Sequence, residues 1–380
     1  MTAGPLAGMR VIELAGLAPA PFACTMLADL GAEVVRVDRA TPGQDVLGLG
    51  EDPLMRSRRS IGVNTKTAAG VDVVLDLAEH ADVLIEGFRP GVAERMGLGP
   101  ADVHTRNPRL VYGRVTGWGQ DGPLASRAGH DINYIGLSGA LEPIGRAGER
   151  PVPPLNLVGD FGGGGLYLAM GVLAALYERN SSGQGQVVDA SMVDGSAMLT
   201  THLHGLRAAG LWGGGRGENM LDGGAPFYDT YETADGGFVA VGAIEERFWR
   251  DLVTVLGLDP DELPTHVDVN EWPRLREILT TEISRYTRDE LVQRAEGTDA
   301  CLTPVLRPDE APEHPHNVAR GTFVEVDGVP EPAPGPKFDR TPAPEPSSAP
   351  EKGADTVEVL AEFGYDARRL QELREAGAIG

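Results

Sequence analysis

Three short polar stretches interrupt an otherwise apolar framework, and each carries a group able to move a proton. Gly129-His130-Asp131 sets an imidazole beside a carboxylate. Gly159-Asp160-Phe161 ends the apolar run Leu155 to Val158 and leads into four glycines, Gly162 to Gly165. Glu245 follows the strand-like run Val239 to Ile244. Such groups serve as general acids or bases when the fold holds them within hydrogen-bond reach of one reacting atom. Each also has a plain structural reading. A His beside a loop glycine serves a turn as readily as a reaction. Asp160 stands where a helix N-cap would stand, and Glu245 suits a solvated turn. The glycines either offer backbone N–H groups to an anionic ligand at a helix start or form a flexible turn.

A basic stretch is the second signal. Residues 54–66 hold Arg56, Arg58, Arg59 and Lys66 and no acid, with Arg36, Arg39 and Arg89 flanking them. The whole chain carries a formal net charge of −23. A local cationic excess in so acidic a chain reads either as a pocket for a small polyanion, gripped by forked guanidinium hydrogen bonds, or as scattered surface charge. The same net charge argues against nucleic acid, which requires a broad basic face, and against anionic membrane surfaces. His202 and His204, like His314 and His316, are two residues apart and would face different sides of a helix, so no metal site is expected. Cys24 and Cys301 lie in apolar surroundings and read as reduced core thiols, which fits a cytoplasmic setting. Met1 to Arg10 holds no long apolar leader.

The elements that must position these groups follow from hydrophobic periodicity. Met9 to Leu14 reads as a strand, Ala15 to Pro21 as a loop, Phe22 to Leu30 as a helix, and Glu33 to Val37 as a strand. That rhythm predicts a right-handed parallel crossover. Val71 to His80, Val83 to Glu86, Leu110 to Val115 and Gln186 to Ala190 continue it, so the N-terminal part is expected to be an open α/β sheet. Asp38 lies at a suitable distance for a dinucleotide site. The turn Ala15 to Pro21, however, lacks the second and third glycines of that fingerprint, and nicotinamide binding is set aside. The longest apolar run, Leu166 to Tyr177, falls short of the roughly 20 residues of a membrane span and reads as a buried helix. A second unit opens at Tyr228 to Tyr231, turns at Gly236-Gly237, and continues with a strand Phe238 to Val241 and helices Glu246 to Leu256 and Trp272 to Tyr286. Pro330 to Pro350 reads as an extended linker. Two short terminal helices, Thr356 to Phe363 and Ala367 to Ala376, must dock on something, because isolated helices of that length are marginal.

Together these segments resemble the family III CoA-transferase group, and within it the racemases of α-methylacyl-CoA thioesters. The stretches that carry the resemblance are Gly4 to Leu14, Asp29 to Asp38, Asp82 to Gly91, Thr116 to Pro123, Gly129 to Tyr134, Asn156 to Gly164, Asp222 to Tyr231, Cys301 to Val305 and Val357 to Tyr365. The resemblance spans essentially the whole chain. It implies an interlocked homodimer, each chain with a Rossmann-like large α/β domain at 1–195, a connector at 196–224, and a small α/β domain at 225–310. A return linker at 311–350, proline-rich at its end, and C-terminal helices at 351–380 that dock on the large domain complete it. The active site is then shared between the large domain of one chain and the small domain of the other.

By the same resemblance, His130, Asp160 and Glu245 fall on the racemases' proton-transfer residues, with Asp131 beside His130 in the matching motif. Arg39 and Arg89 are the best matches to the CoA phosphate and adenine site, and Arg58 and Lys66 belong to the same basic group. The expected reaction is a 1,1-proton transfer through an enolate. His130, oriented by Glu245 of the partner subunit, and Asp160 serve opposite faces of the α-carbon. Backbone N–H groups at Asp160 to Gly163 are the expected oxyanion donors, and no metal or redox cofactor is required. Two alternatives stay open: a CoA-transferase in which Asp160 attacks the thioester covalently, and an inactive CoA-thioester binding protein. Leu211, Trp212, Met220 and Leu221 could line an acyl path or belong to a core.

Overall fold

The computed structural model describes residues 4–40 and 52–380. The first three residues of the expected large domain, and part of the segment leading to the basic stretch, lie outside the described residues. The chain divides into two units. The first comprises Met1–Ser138, Leu155–Leu199 and Gly321–Gly380, and the second Gly139–Pro154 and Thr200–Arg320.

The first unit opens with β1 (Arg10–Leu14), α1 (Pro19–Asp29), β2 (Glu33–Arg39), β3 (Arg59–Val63), α2 (Ala68–Glu79) and β4 (Val83–Glu86). It continues with α3 (Val92–Arg95), α4 (Pro100–Arg106), β5 (Val111–Thr116) and α5 (Asp131–Ser138). A wide-turned π-helix (Leu157–Leu166) runs directly into α6 (Tyr167–Ser182), followed by β6 (Val187–Ser191) and α7 (Met192–Leu199). The six strands form one parallel sheet in the order β3-β2-β1-β4-β5-β6. Alternate residues face opposite sides, as strand geometry requires. Ile12, Val35, Ile61, Leu84 and Tyr112 join the core on one side. Val11, Val34, Val83 and Val111 join the core under α1 and α6 on the other. Strands buried on both faces carry the near-continuous apolar runs from which an α/β sheet is expected.

Two boundaries differ from the sequence reading. Helix α1 begins at Pro19 rather than Phe22, because proline is tolerated in a helix's first turn, where its missing N–H has no partner to lose. The basic stretch conceals a strand: Ile61 and Val63 of β3 are buried, and the arginines on either side obscure the apolar signal.

The expectation of a short buried helix at Leu166 to Tyr177 is also corrected. The π-helix and α6 form a continuous helix, Leu157–Ser182, of 26 residues, long and apolar enough by length and composition to cross a membrane, yet only 39% of its most apolar stretch is buried. The glycines do not break it. They let neighbours approach: a Cβ on Gly163 would lie 2.6 Å from the Ser196 amide of α7, and one on Gly165 2.7 Å from the Pro19 carbonyl of α1.

The remainder of the first unit returns from the chain's end. A hairpin pairs Phe323–Val326 with Val329–Pro332 through Asp327-Gly328. Both turn residues have positive φ (48° and 80°), the geometry for which Asp-Gly is suited. This hairpin was read as linker. The two terminal helices, Thr356–Glu362 and Ala367–Glu375, bury Val359, Leu360, Leu370 and Leu373 in the β3–β2–β1 core. The Gly380 N–H then donates to the Gly62 carbonyl and the Asn64 N–H to the Ala378 carbonyl.

The second unit starts with α8 (Thr201–Ala208) and builds an antiparallel sheet of β7 (Tyr228–Glu232), β8 (Phe238–Gly242) and β9 (Leu302–Pro304). Helices α9 (Glu246–Val255), α10 (Trp272–Ile283) and α11 (Arg288–Ala295) close its core around Trp249 and Phe227. Residues 139–154 fall in this unit rather than in the large one. Arg216 donates to the Glu142 carbonyl (2.6 Å) and Arg146 pairs with Asp229 (2.6 Å). Cys24 is fully buried as expected, and burial, followed by nearby Glu13, pushes its thiol well up. Cys301 is exposed, contrary to the core-thiol reading.

The hairpin is fastened by Arg56. Its guanidinium forks onto Asp29 at the end of α1 (3.0 and 2.5 Å) and reaches Glu331 of the hairpin (2.8 Å). All three side chains are at most 8% exposed. Removing the cation from a buried pair leaves uncompensated charge. Arg56→Ala is therefore expected to cost about 3–5 kcal/mol, read as a lower urea midpoint with an unchanged slope.

Candidate active site

In a sheet of this order the strand sequence reverses direction between β1 and β4, and the carboxyl ends of the diverging strands leave a crevice there. A cavity of about 840 Å³ occupies that position. Its walls are the loop after β1 (Ala15 to Pro19), the end of β2 (Arg36, Asp38, Arg39), the loop after β4 (Gly87 to Pro90) and the loop after β5 (Gly117, Trp118). His130, Tyr134 and Asp160 stand at one end of this set, and Lys352 of the returning chain belongs to it as well.

His130 is exposed at the N-terminus of α5. Its own N–H donates to Asn133 Oδ1 (3.0 Å), and its carbonyl accepts the Asn133 N–H (2.8 Å). The imidazole is therefore carried on a fixed backbone. Tyr134 supports the loop from beneath. Its hydroxyl donates to the Gly129 carbonyl and its ring meets Trp118 edge-on at 4.7 Å. A Cβ at Gly117 would fall 2.0 Å from the Tyr134 ring, so only glycine fits there.

Asp160 sits in the first turn of the π-helix and accepts a hydrogen bond from Asn156 Nδ2 (3.1 Å). Burial first, and the nearby Asp131 charge in addition, hold its carboxyl above the usual carboxylate range, against the lowering pull of Asn156 and His130. A carboxyl so placed retains its proton to higher pH, which suits it to give a proton as well as take one.

Asp131, the neighbour of His130 in the sequence motif, lies behind the cavity walls rather than on them. It is 6% exposed and is not among the cavity walls. Its Oδ2 accepts the N–H of Gly159 (2.7 Å) and of Asp160 (2.8 Å). Asp131 thus caps the turn that carries Asp160 and reaches the site through it. The same bond narrows the oxyanion reading: the Asp160 amide is taken by Asp131, and the Phe161 amide points to the Asn156 carbonyl (3.3 Å).

The basic stretch disperses in three dimensions. Arg39 and Arg89 face the cavity and are exposed. Arg58 does not. Its side chain is wholly buried, its Nε lies 2.8 Å from Glu13, and it donates to the Leu54 and Pro21 carbonyls. It neutralises a carboxylate inside the sheet. Arg59 is paired with Glu33 and Glu362, and Lys66 is exposed on the loop before α2, away from the cavity walls. Sequence reasoning missed Lys352, whose only signal was a cation in the return segment, and passed over Tyr134 and Trp118 as parts of motifs.

Glu245 is exposed at the N-cap of α9 in the second unit, with no capping bond from its side chain. The turn that carries it is held by His266, itself 1% exposed. Nε2 of His266 lies 2.7 Å from the Ile244 carbonyl, and the ring stacks on Trp249. The sequence reading did not single out His266.

Comparison with known proteins adds a second line. The profile of CoA-transferase family III matches residues 6–356. An alpha-methylacyl-CoA racemase of Mus musculus is 49% identical over 372 residues, covering 97% of this chain and 96% of that protein. The Homo sapiens protein of the same name is 47% identical over the same shares. Among solved structures, a CAIB/BAIF family protein from Brucella suis superposes with a TM-score of 0.81 at 26% identity, covering 95% of this chain and 99% of that one.

The Asp131–Asp160 relation is open to direct measurement. Asp131→Asn retains an amide oxygen for the Gly159 and Asp160 N–H groups while removing the charge. Carboxyl ¹³C NMR should then show the Asp160 titration midpoint moving to lower pH; an unmoved midpoint would contradict the repulsion described above.

Proposed function

The chain belongs to CoA-transferase family III, and from that membership we propose that it interconverts the two configurations of 2-methylacyl-CoA thioesters. One observation carries the reading. An imidazole and a carboxyl with a raised affinity for its proton share one cavity with cations that form no ion pair among the described residues, in a chain 49% identical to a curated racemase.

In this scheme neutral His130 takes the α-proton of one enantiomer. The electron pair left behind delocalises into the thioester carbonyl as an enolate. Asp160, carrying its proton, delivers it to the opposite face of the planar carbon. For the other enantiomer Asp160 is the base and His130 the acid. Each cycle begins and ends with one proton between the two groups, so every proton is carried by a side chain and we assign no cofactor. Acid–base help of this kind is worth about 10²–10⁴ in rate. Glu245 is assigned to orient the imidazole from a second copy of the chain. The competing transferase reading needs Asp160 as an ionised nucleophile. Covalent attack at the thioester gives His130 no task.

Exposed apolar side chains support a second copy. Leu166, Met170 and Tyr177 form a stripe on the long helix and are 46%, 57% and 81% exposed, and Leu137 and Leu199 add 60% and 55% from α5 and α7. Exposed apolar side chains clustered on one helix face suit an interaction site, and we assign it to a homodimer.

Two experiments test these assignments. Incubating (S)-2-methylacyl-CoA in deuterated water without an acceptor acid should give inversion with deuterium at the α-carbon, and His130→Ala should slow it by about 10²–10⁴. Normal inversion by that variant sinks the scheme, and CoA transfer to an added free acid in place of exchange supports the transferase. Light scattering should find the wild type as a dimer and a Met170→Glu, Tyr177→Asp variant as a monomer; an unchanged mass in that variant removes this stripe from the interface.

A further inference from the structure

The four exposed cations of the cavity wall, Arg39, Arg89, Arg127 and Lys352, form no ion pair among the described residues. Their neighbours Arg36, Arg56, Arg58 and Arg59 are each answered by a carboxylate. In a chain of net charge −23, cations left unanswered on one wall are free to serve an anionic ligand. Lys352 differs from the others in origin. It comes not from a loop of the sheet but from the segment that returns to the first unit at the chain's end.

That segment is fixed in position. The Gly353 N–H donates to Ser60 Oγ (2.8 Å), and Ser60 Oγ donates to Asp38 Oδ2 (2.8 Å). The Asp355 N–H donates to the Ser60 carbonyl (2.9 Å), and Asp355 Oδ2 accepts the Ser60 N–H (2.7 Å). Ser60 lies on β3 beside Arg36 of β2, so Lys352 is anchored next to the strand that ends at Arg39. Its backbone does not have to be ordered when a ligand arrives, which reduces the entropic cost of using it.

The sheet sets the distance from the reacting groups. His130 and Asp160 lie beyond β5, Arg89 follows β4, and Arg39 ends β2. Three strand spacings of about 4.8 Å place the β2 end about 14 Å from the β5 end. A CoA thioester with its acyl carbon at His130 and Asp160 extends its pantetheine arm along the strand ends. Its phosphate-bearing end would then come to the far wall of the cavity, where Arg39 and Lys352 stand.

We propose that Lys352 determines specificity for the 3′-phosphate of CoA, acting with Arg39 as a two-cation clamp on the end of the ligand farthest from the chemistry. The proposal rests on the acyl-CoA reading above. Lys352 touches no reacting atom, so it governs how tightly substrate binds and leaves the proton transfers to His130 and Asp160. A rim ammonium facing a phosphate dianion is also exposed to salt screening.

The test compares a 2-methylacyl-CoA with its 3′-dephospho analogue, on wild-type enzyme, Lys352→Met and Lys352→Arg. Lys352→Met keeps the side chain's length and apolar stem. It should raise KM for the CoA thioester about tenfold with little change in kcat, and leave KM for the dephospho analogue where it is in wild type. Lys352→Arg should restore most of the loss, and added salt should narrow the gap between wild type and Lys352→Met. An equal rise for both thioesters, or no rise for either, overturns the proposal while leaving the acyl-CoA reading in place. Wild-type enzyme that neither turns over the thioester nor binds free CoA in a calorimeter overturns that reading, and the clamp with it.

Discussion

A carboxylate buried inside the parallel sheet governs how the cavity is built. Glu13 on β1 has no exposed surface and is answered by two guanidinium groups, Arg36 from β2 and Arg58 from the turn before β3. Left alone, a charge so placed would cost several kcal/mol. Answered, it fixes both arginines, and the fixation spreads. Arg36 also holds Asp38 (3.2 Å), Asp38 holds Ser60, and Ser60 holds the backbone of the return segment at Gly353. The floor of the cavity is thereby closed electrically, with each charge in it spoken for. Among the described residues, Arg39, Arg89, Arg127 and Lys352 on its wall remain to meet a ligand.

At the other end of the cavity the same economy appears in smaller form. Asp131 spends one carboxylate oxygen on two amides of the π-helix and, through its charge, helps raise the proton affinity of Asp160. One buried group thus sets both the position and the protonation of its neighbour. The close approaches at Gly117 and Gly163 belong to this arrangement. They let Tyr134 and α7 pack against the two turns that carry His130 and Asp160, so that the two groups ride on rigid elements.

The sheet was legible in the sequence because its strands are buried on both faces and read as continuous apolar runs. Four of the six strands were found that way, and β6, whose Val187 is exposed, from the glycine turn before it. The strand Arg59–Val63 was not, because arginines flank its apolar residues and charge was taken as the sign of a surface. Arg58 shows the limit of that rule: a cation in the sequence is a ligand contact or a counterion according to where Glu13 lies, and Glu13 is distant in the chain. His130 and Asp160 were legible as candidates, and their common cavity follows from the reversal of strand order between β1 and β4. The capping role of Asp131, the support of the Glu245 turn by His266 and the place of Lys352 were not legible. Each depends on pairings between segments far apart in sequence, which no local pattern encodes.

Arg56 meets Glu331 across a sequence separation of 275 residues, and Val63 at the edge of the sheet is bridged by Ile379. A ribosome makes the strands first and the segments that seal them last. While the second unit is being synthesised, β3 has an uncovered edge and Asp29 has Arg56 but not the hairpin that completes the cluster. Open strand edges of this kind invite pairing with other chains, and partly built α/β sheets are prone to aggregate. The sheet therefore keeps that edge open until the final helices close over the strands made at the start.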